Sequence, residues 1–211
     1  MRLVVAVILM LLGGGYLGWQ YLGTNVVASH SQDAARHVIV ENFKARDIAK
    51  SQPIVNIRIK VGRNSVAGVG LLSIPIIGLK DAPIVDSFTQ ATIDEGLVGS
   101  MGVKPGASAN TVLLAHIVSH GEPFKNLADL RAGGIVKIKT RDGTFTYQIR
   151  SAPVTVKDTD TWPMLPVPDP QAKGGEKVKP VATLITCASR FTRTDNRLVV
   201  IADLISSKER P

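Results

Sequence analysis

Val181-Ala182-Thr183-Leu184-Ile185-Thr186-Cys187 is an apolar, β-prone run that ends at the one cysteine of the 211-residue chain. Nine mostly polar residues follow, Ala188 to Asn196, before Arg197-Leu198-Val199-Val200-Ile201 opens a second β-prone run. Two such runs joined by a short polar loop predict neighbouring antiparallel strands. In that pairing Cys187 closes one strand where Arg197 opens the next, so thiol and guanidinium can sit roughly 5 Å apart across the ladder. A permanent cation beside a thiol favours the thiolate, which is the reactive form. The pattern suggests a nucleophile, and the plainer alternative is a small, inert, strand-end hydrophobe.

Working outward, the histidines are His30, His37, His116 and His120. The first two fall in a polar segment and are most simply solvated. Thr111-Val112-Leu113-Leu114-Ala115 is a strand candidate running into His116. After it come Ile117-Val118-Ser119-His120-Gly121-Glu122-Pro123-Phe124, then Leu127, Leu130 and Gly133.

These elements resemble the sortases, the bacterial cysteine transpeptidases that attach proteins to the cell wall. The resemblance rests first on Thr183-Leu184-Ile185-Thr186-Cys187 with Arg197 before a β run. It rests also on a strand entering a histidine that Gly121-Glu122-Pro123-Phe124 follows five residues later. That spacing selects His116 and leaves His120 as a loop residue. Ser73-Ile74-Pro75, Ile77, Pro83-Ile84-Val85, Asp142-Gly143 and Asp160-Thr161-Trp162 follow the family's order, so coverage runs from about Pro53 to Leu204. Cys187 to Phe191, as Cys-x-x-x-Phe, is most similar to the class E housekeeping enzymes of actinobacteria, with class D next. An Asp-Pro-aromatic lid of the pilus-polymerising class is not seen ahead of the domain. Ala115, Ile117 and Gly134 depart from the glycine, arginine and aspartate common in the family, and none of these removes a reactive atom.

The resemblance implies a cysteine transpeptidase or peptidase with Cys187 as nucleophile, His116 as general acid/base and Arg197 for the oxyanion or substrate positioning. It implies cleavage of a Leu-Pro/Ala-x-Thr-Gly-type sorting signal between Thr and Gly. Transfer to an amine of a peptidoglycan precursor would follow. The partners expected are exported proteins bearing that signal. Two alternatives use the same residues differently: an exported cysteine peptidase with water as acceptor, or a non-catalytic wall-binding β domain. No cofactor and no metal are expected, because the acidic residues lack calcium-loop spacing and the histidines lack zinc-ligand spacing.

A formal charge of +8 favours anionic surroundings such as acidic lipid or wall polymer. Nucleic acid is not expected, since the few aromatics do not interleave with basic residues as a base-stacking surface would. Leu3 to Leu22 is nearly all apolar, long enough to cross a bilayer, with Trp19 and Tyr21 at one end. A cleaved signal segment ending near Ala28 is the other reading. Together with this apolar stretch, the resemblance implies placement at the bacterial cell membrane, single pass, with an extracellular catalytic domain.

The expected organisation is an anchor over 1–23, a polar stalk or linker over 24–52 and a catalytic domain over 53–205. A tail over 206–211 ends the chain. In the stalk, Ala34, Ala35, Val38, Ile39, Val40 and Phe43 recur at helix-like spacing. From Val55 to Val61 apolar and polar residues alternate, as in a half-buried strand. Further β candidates are Gly68 to Ile77, Gly134 to Lys139, Thr144 to Arg150 and Val154 to Val156, with Asp142-Gly143 as a hairpin signal. Short helices fit around Thr92 to Leu97 and Lys125 to Leu130. The fold class is all-β, a closed barrel of seven to eight strands. Trp162 to Pro180, rich in proline and glycine, is a long loop that is either a spacer or a groove wall.

Overall fold

In the computed structural model the described residues are 2–48, 57–189, 192 and 194–209. The strands are β1 (Arg58–Val61), β2 (Asn64–Ile74), β3 (Leu79–Asp86), β4 (Val98–Gly102), β5 (Asn110–Leu114), β6 (Ile135–Thr140), β7 (Gly143–Ile149), β8 (Val154–Lys157), β9 (Val181–Cys187) and β10 (Asn196–Glu209). Eight of them close a ring in the order β2-β3-β4-β5-β9-β10-β7-β6, and β6 pairs back onto β2 from Gly70↔Thr140 to Ser73↔Lys137. A closed ring leaves no free edge, which removes the usual aggregation risk of an open sheet. β1 adds to β2 and β8 adds to β10 outside the ring.

Alternation along the strands fills the barrel. Leu72, Ile84, Leu113, Val136, Ile138, Tyr147, Leu184 and Val200 point inward and are fully buried or nearly so. Tyr147 satisfies its hydroxyl within this apolar interior by accepting the Gly106 amide at 2.8 Å. Burial pushes the Tyr147 phenol up, and the bonds to Gly106 and Thr111 oppose that only in part.

Two strands lie where no strand was expected. β4 reads Val98-Gly99-Ser100-Met101-Gly102, without the β-branched run that signals a strand. Gly99 is needed there, because a Cβ at that position would lie 2.5 Å from the Ser87 carbonyl oxygen. β3 carries Lys80, Asp81 and Pro83 and pairs with β4 in parallel. The expected helices shrink to α3 (Gln90–Asp94), named after the two N-terminal helices below, and a 3-10 turn at Leu127–Asp129. The first strand begins at Arg58 within the described residues, and Ile54 to Asn56 lie outside them. The tail expected from 206 is strand to Glu209, because Ser207 pairs with Phe145 and Glu209 with Gly143. Arg210 and Pro211 lie outside the described residues.

The N-terminal segment is helical throughout: α1 (Arg2–Gly18), a π turn (Trp19–Gly23) and α2 (Thr24–Ile48). Its apolar part is long and hydrophobic enough to cross a membrane, and Val4 to Leu12 stand largely exposed. The segment read as a polar stalk with helix-like spacing keeps the helix but does not stand as a free linker. Over Thr24–Ile48 it is a helix docked on the barrel, with Ala28, Ala35, Ile39 and Phe43 buried along one face. Ala35, Ile39 and Phe43 pack with Ile59, Val61, Leu71, Val85 and Leu97 in a second apolar cluster outside the ring.

Candidate active site

β5 and β9 run parallel, with Leu113 beside Leu184 and Leu114 beside Ile185. Parallel neighbours end at the same end of the barrel. The chain leaves β5 through Ala115 into His116, while β9 ends at Cys187. The junction is tied by the Ala115 amide to the Ile185 carbonyl and by Thr186 Oγ1, which donates to the Ala115 carbonyl at 2.8 Å. β10 begins at that end in the opposite direction, and Arg197 is the direct cross-strand partner of Cys187. Residues directly opposite share a face of the sheet. That face is the outer one, for it continues into the cluster of Val112, Ile185 and Val199 outside the barrel. The structure thus brings all three sequence-predicted residues to one end of three adjacent strands.

Cys187 is half-buried and forms no disulfide. Arg197 is engaged with its own loop: Nη1 donates to the carbonyls of Thr194 at 2.9 Å and Asn196 at 3.1 Å, and Nη2 lies 3.5 Å from Asp158 Oδ2. The last separation is long for a charged hydrogen bond and holds the group only loosely. Arg190, Phe191 and Arg193 lie outside the described residues.

His116 has a partner that the sequence did not reveal. Its Nε2 lies 2.8 Å from Oδ1 of Asp94, at the end of α3, with the His116 side chain 18 % exposed. Asp94 is 22 positions upstream, and no spacing rule joins it to the histidine. Its one signal is membership in the short helix expected near Thr92. The Gly121-Glu122-Pro123-Phe124 stretch has a structural role: the Phe124 amide donates to the His116 carbonyl at 3.0 Å, and the fully buried Phe124 ring anchors the loop in the core. Ile117, where arginine is common among the sequences it resembles, is 5 % exposed.

Between His116 and Phe124 the chain makes a left-handed turn through Ser119, His120, Gly121 and Glu122. The turn is braced by α2. Asn25 Oδ1 accepts the Gly121 amide at 2.8 Å and Asn25 Nδ2 donates to Glu122 Oε1 at 3.2 Å. Gln32 Nε2 donates to the Gly96 carbonyl at 2.7 Å, and Ser31 bonds Glu95, so the loop after α3 is held by the same helix. The backbone at Gly121 favours glycine: its φ is +76°, and Gln32 Nε2 lies where a Cβ would project. Burial pushes the Glu122 carboxyl up, but hydrogen bonds from Tyr21, Asn25 and the Ser119 amide, with the Lys125 charge, hold it below the ordinary value. His120 stacks on His116 with ring centroids 5.1 Å apart. Burial lowers the His120 pKa, with Asp94 opposing and His116 reinforcing.

The expected long loop opens with a 3-10 turn, Trp162–Met164. Asn110 Nδ2 donates to the carbonyls of Pro163 and Leu165, and Met164 packs on the outer-face cluster that leads to Cys187. Its first part therefore walls the face on which the thiol lies.

A family model described as the sortase domain matches residues 72–205. The chain belongs to the sortase family. It is 29% identical over 151 residues to Sortase SrtE1 of Streptomyces coelicolor, spanning 68% of this chain and 42% of that protein. It therefore covers less than half the length of this curated relative. Sortase E of Streptomyces avermitilis superposes with a TM-score of 0.58 at 26% identity, covering 67% of this chain and 90% of that one. A sortase D5 transpeptidase of Clostridium perfringens superposes at 0.63 with 21% identity, over 84% of this chain and 99% of that one, and shares the fold. Within the family the chain is most like class E.

Proposed function

We propose that this sortase is a membrane-anchored transpeptidase in which Cys187, His116 and Arg197 act on a Leu-Pro-x-Thr-Gly or Leu-Ala-x-Thr-Gly signal. The observation that supports the reading is the placement of the three residues at one end of adjacent strands: Arg197 is the cross-strand partner of Cys187 on β9 and β10, and His116 follows the strand parallel to β9.

The Cys187 thiolate attacks the Thr carbonyl carbon, and the carbonyl pair moves onto oxygen. On collapse the Thr–Gly C–N bond breaks, and His116 delivers a proton to the departing amine. The product is a thioester on Cys187. An amine of a wall precursor then attacks that carbonyl, His116 takes its proton, and the C–S bond breaks to regenerate the thiolate. Arg197 donates through a planar fork. It serves the oxyanion or the signal's backbone carbonyls once its donors exchange from the carbonyls of Thr194 and Asn196. Asp94 is a positioning residue, since accepting from Nε2 leaves Nδ1 as the nitrogen free for proton transfer.

The deciding experiment incubates the full chain in detergent with both peptides, with and without an added amine. The expected result is a mass increment on Cys187 and an amine-capped Thr product. Hydrolysis alone at every amine concentration would make it a peptidase, and no adduct with either peptide would remove the assignment.

A further inference from the structure

Ser119, His120 and Glu122 hold left-handed backbone with φ of 58°, 49° and 47°, around Gly121 at 76°. Non-glycine residues rarely adopt that region, and such outliers persist only where the surroundings fix them. Here Asn25 of α2 does so, accepting the Gly121 amide and donating to Glu122. The turn lays the His120 ring over that of His116, with planes 28° apart. Asp94 already meets His116 at 2.8 Å, close to the roughly 3 Å that separates two donors on one small metal ion. One donor atom from each of Asp94, His116 and His120 falls within 4.8 Å of the other two.

We propose that Asp94, His116 and His120 form a binding site for a divalent late first-row cation of the zinc kind, and that the ion withdraws His116 from proton transfer. The donor set is two imidazoles and one carboxylate, which suits zinc, copper or nickel and does not suit magnesium or calcium. All three side chains are partly exposed, so an ion enters from solvent and small side-chain rotations draw the donors to about 2.0–2.2 Å. A fourth position stays open for water. The ion would be an inhibitor and not a cofactor, because an imidazole that binds it through Nε2, on the Asp94 side, keeps its one proton on Nδ1 and can no longer take up and release a second one there. This second half rests on the role proposed above for His116; the binding itself does not.

The test is competition between the full chain in detergent and a chromophoric zinc chelator, in a Cys187→Ala background that removes the thiol as a ligand. One zinc ion per chain is expected. Asp94→Asn and His120→Asn should each weaken binding by about 100-fold or more, since losing outer partners of metal ligands alone costs about 10–100-fold. Asparagine tolerates left-handed backbone, so His120→Asn keeps the turn, and an unchanged melting temperature verifies it. In the wild-type chain, zinc should suppress peptide cleavage along the same binding curve and EDTA should restore it. No saturable zinc binding with alanine at 187, or undiminished binding with asparagine at 120, overturns the site. Bound zinc that leaves cleavage untouched overturns the inhibitory role. A chain that binds zinc but cleaves no sorting peptide would keep the site and remove the functional reading instead.

Discussion

At the scale of the residue, each proposed role makes a separable demand. His116→Ala should lower turnover by about 10² to 10⁴, the usual worth of acid–base help, while the thiol remains reactive to a small alkylating agent. Arg197→Lys keeps the charge and loses the fork, so turnover should fall by about 10² or more, comparable with the loss of one oxyanion donor. Near-wild-type rates in that variant would move the anion-stabilising role elsewhere. Asp94→Asn should cost turnover about tenfold or more with little change in KM, because an amide no longer fixes the histidine tautomer. A change confined to KM would make Asp94 a substrate contact. Two β-prone runs and a polar loop brought out Cys187 and Arg197 in the sequence, whereas His116 was chosen over His120 by the five-residue spacing to Gly121 that the family resemblance supplied. Asp94 was not legible there, because its contact with His116 exists only once α3 and the loop after β5 are brought together by the barrel.

At the scale of the element, the parallel pairing of β5 with β9 is what puts histidine and cysteine side by side. The antiparallel β9–β10 pair could be read from two β-prone runs and a polar loop. The parallel neighbour could not, since β5 and β9 are joined only through the intervening sheet. β4 was hidden for a different reason: close backbone approach at Gly99 demands the residue that most weakens a strand signal. The loop from His116 to Phe124 depends on its far end. Phe124→Ala should cost about 3–5 kcal/mol of stability by leaving a cavity in the core, measured by denaturant unfolding. It should also slow cleavage at temperatures where the variant is still folded, because the loop end that holds the His116 carbonyl is no longer anchored.

At the scale of the whole molecule, α2 belongs to the working unit. Its apolar face was visible as helical spacing, but a polar outer face made it look like a free stalk, and only the partner surface on β1, β2 and β3 settles where it lies. A fragment beginning near Ile57 retains Cys187, His116 and Arg197, yet it exposes Val61, Leu71 and Val85. Ile39 and Phe43 are each worth about 1.5–3 kcal/mol of burial. At about 2–4 °C per kcal/mol, that fragment should melt about 6–24 °C below one beginning at Thr24. It should also cleave the sorting peptide more slowly, because the left-handed turn loses Asn25. Equal melting temperatures and equal rates would show that the docked helix is a passive tether.

The hydrogen bonds from Tyr21 and Asn25 to Glu122 join the loop after His116 to the helix just where its apolar stretch ends at Leu22. With α1 in a bilayer, the reactive end of the barrel is pinned at the height of the lipid headgroups. Any partner confined to the same membrane would then meet Cys187 by drifting in a plane. Encounter would depend on the number of such partners per area of membrane, and dilution of the surrounding fluid would leave it unchanged.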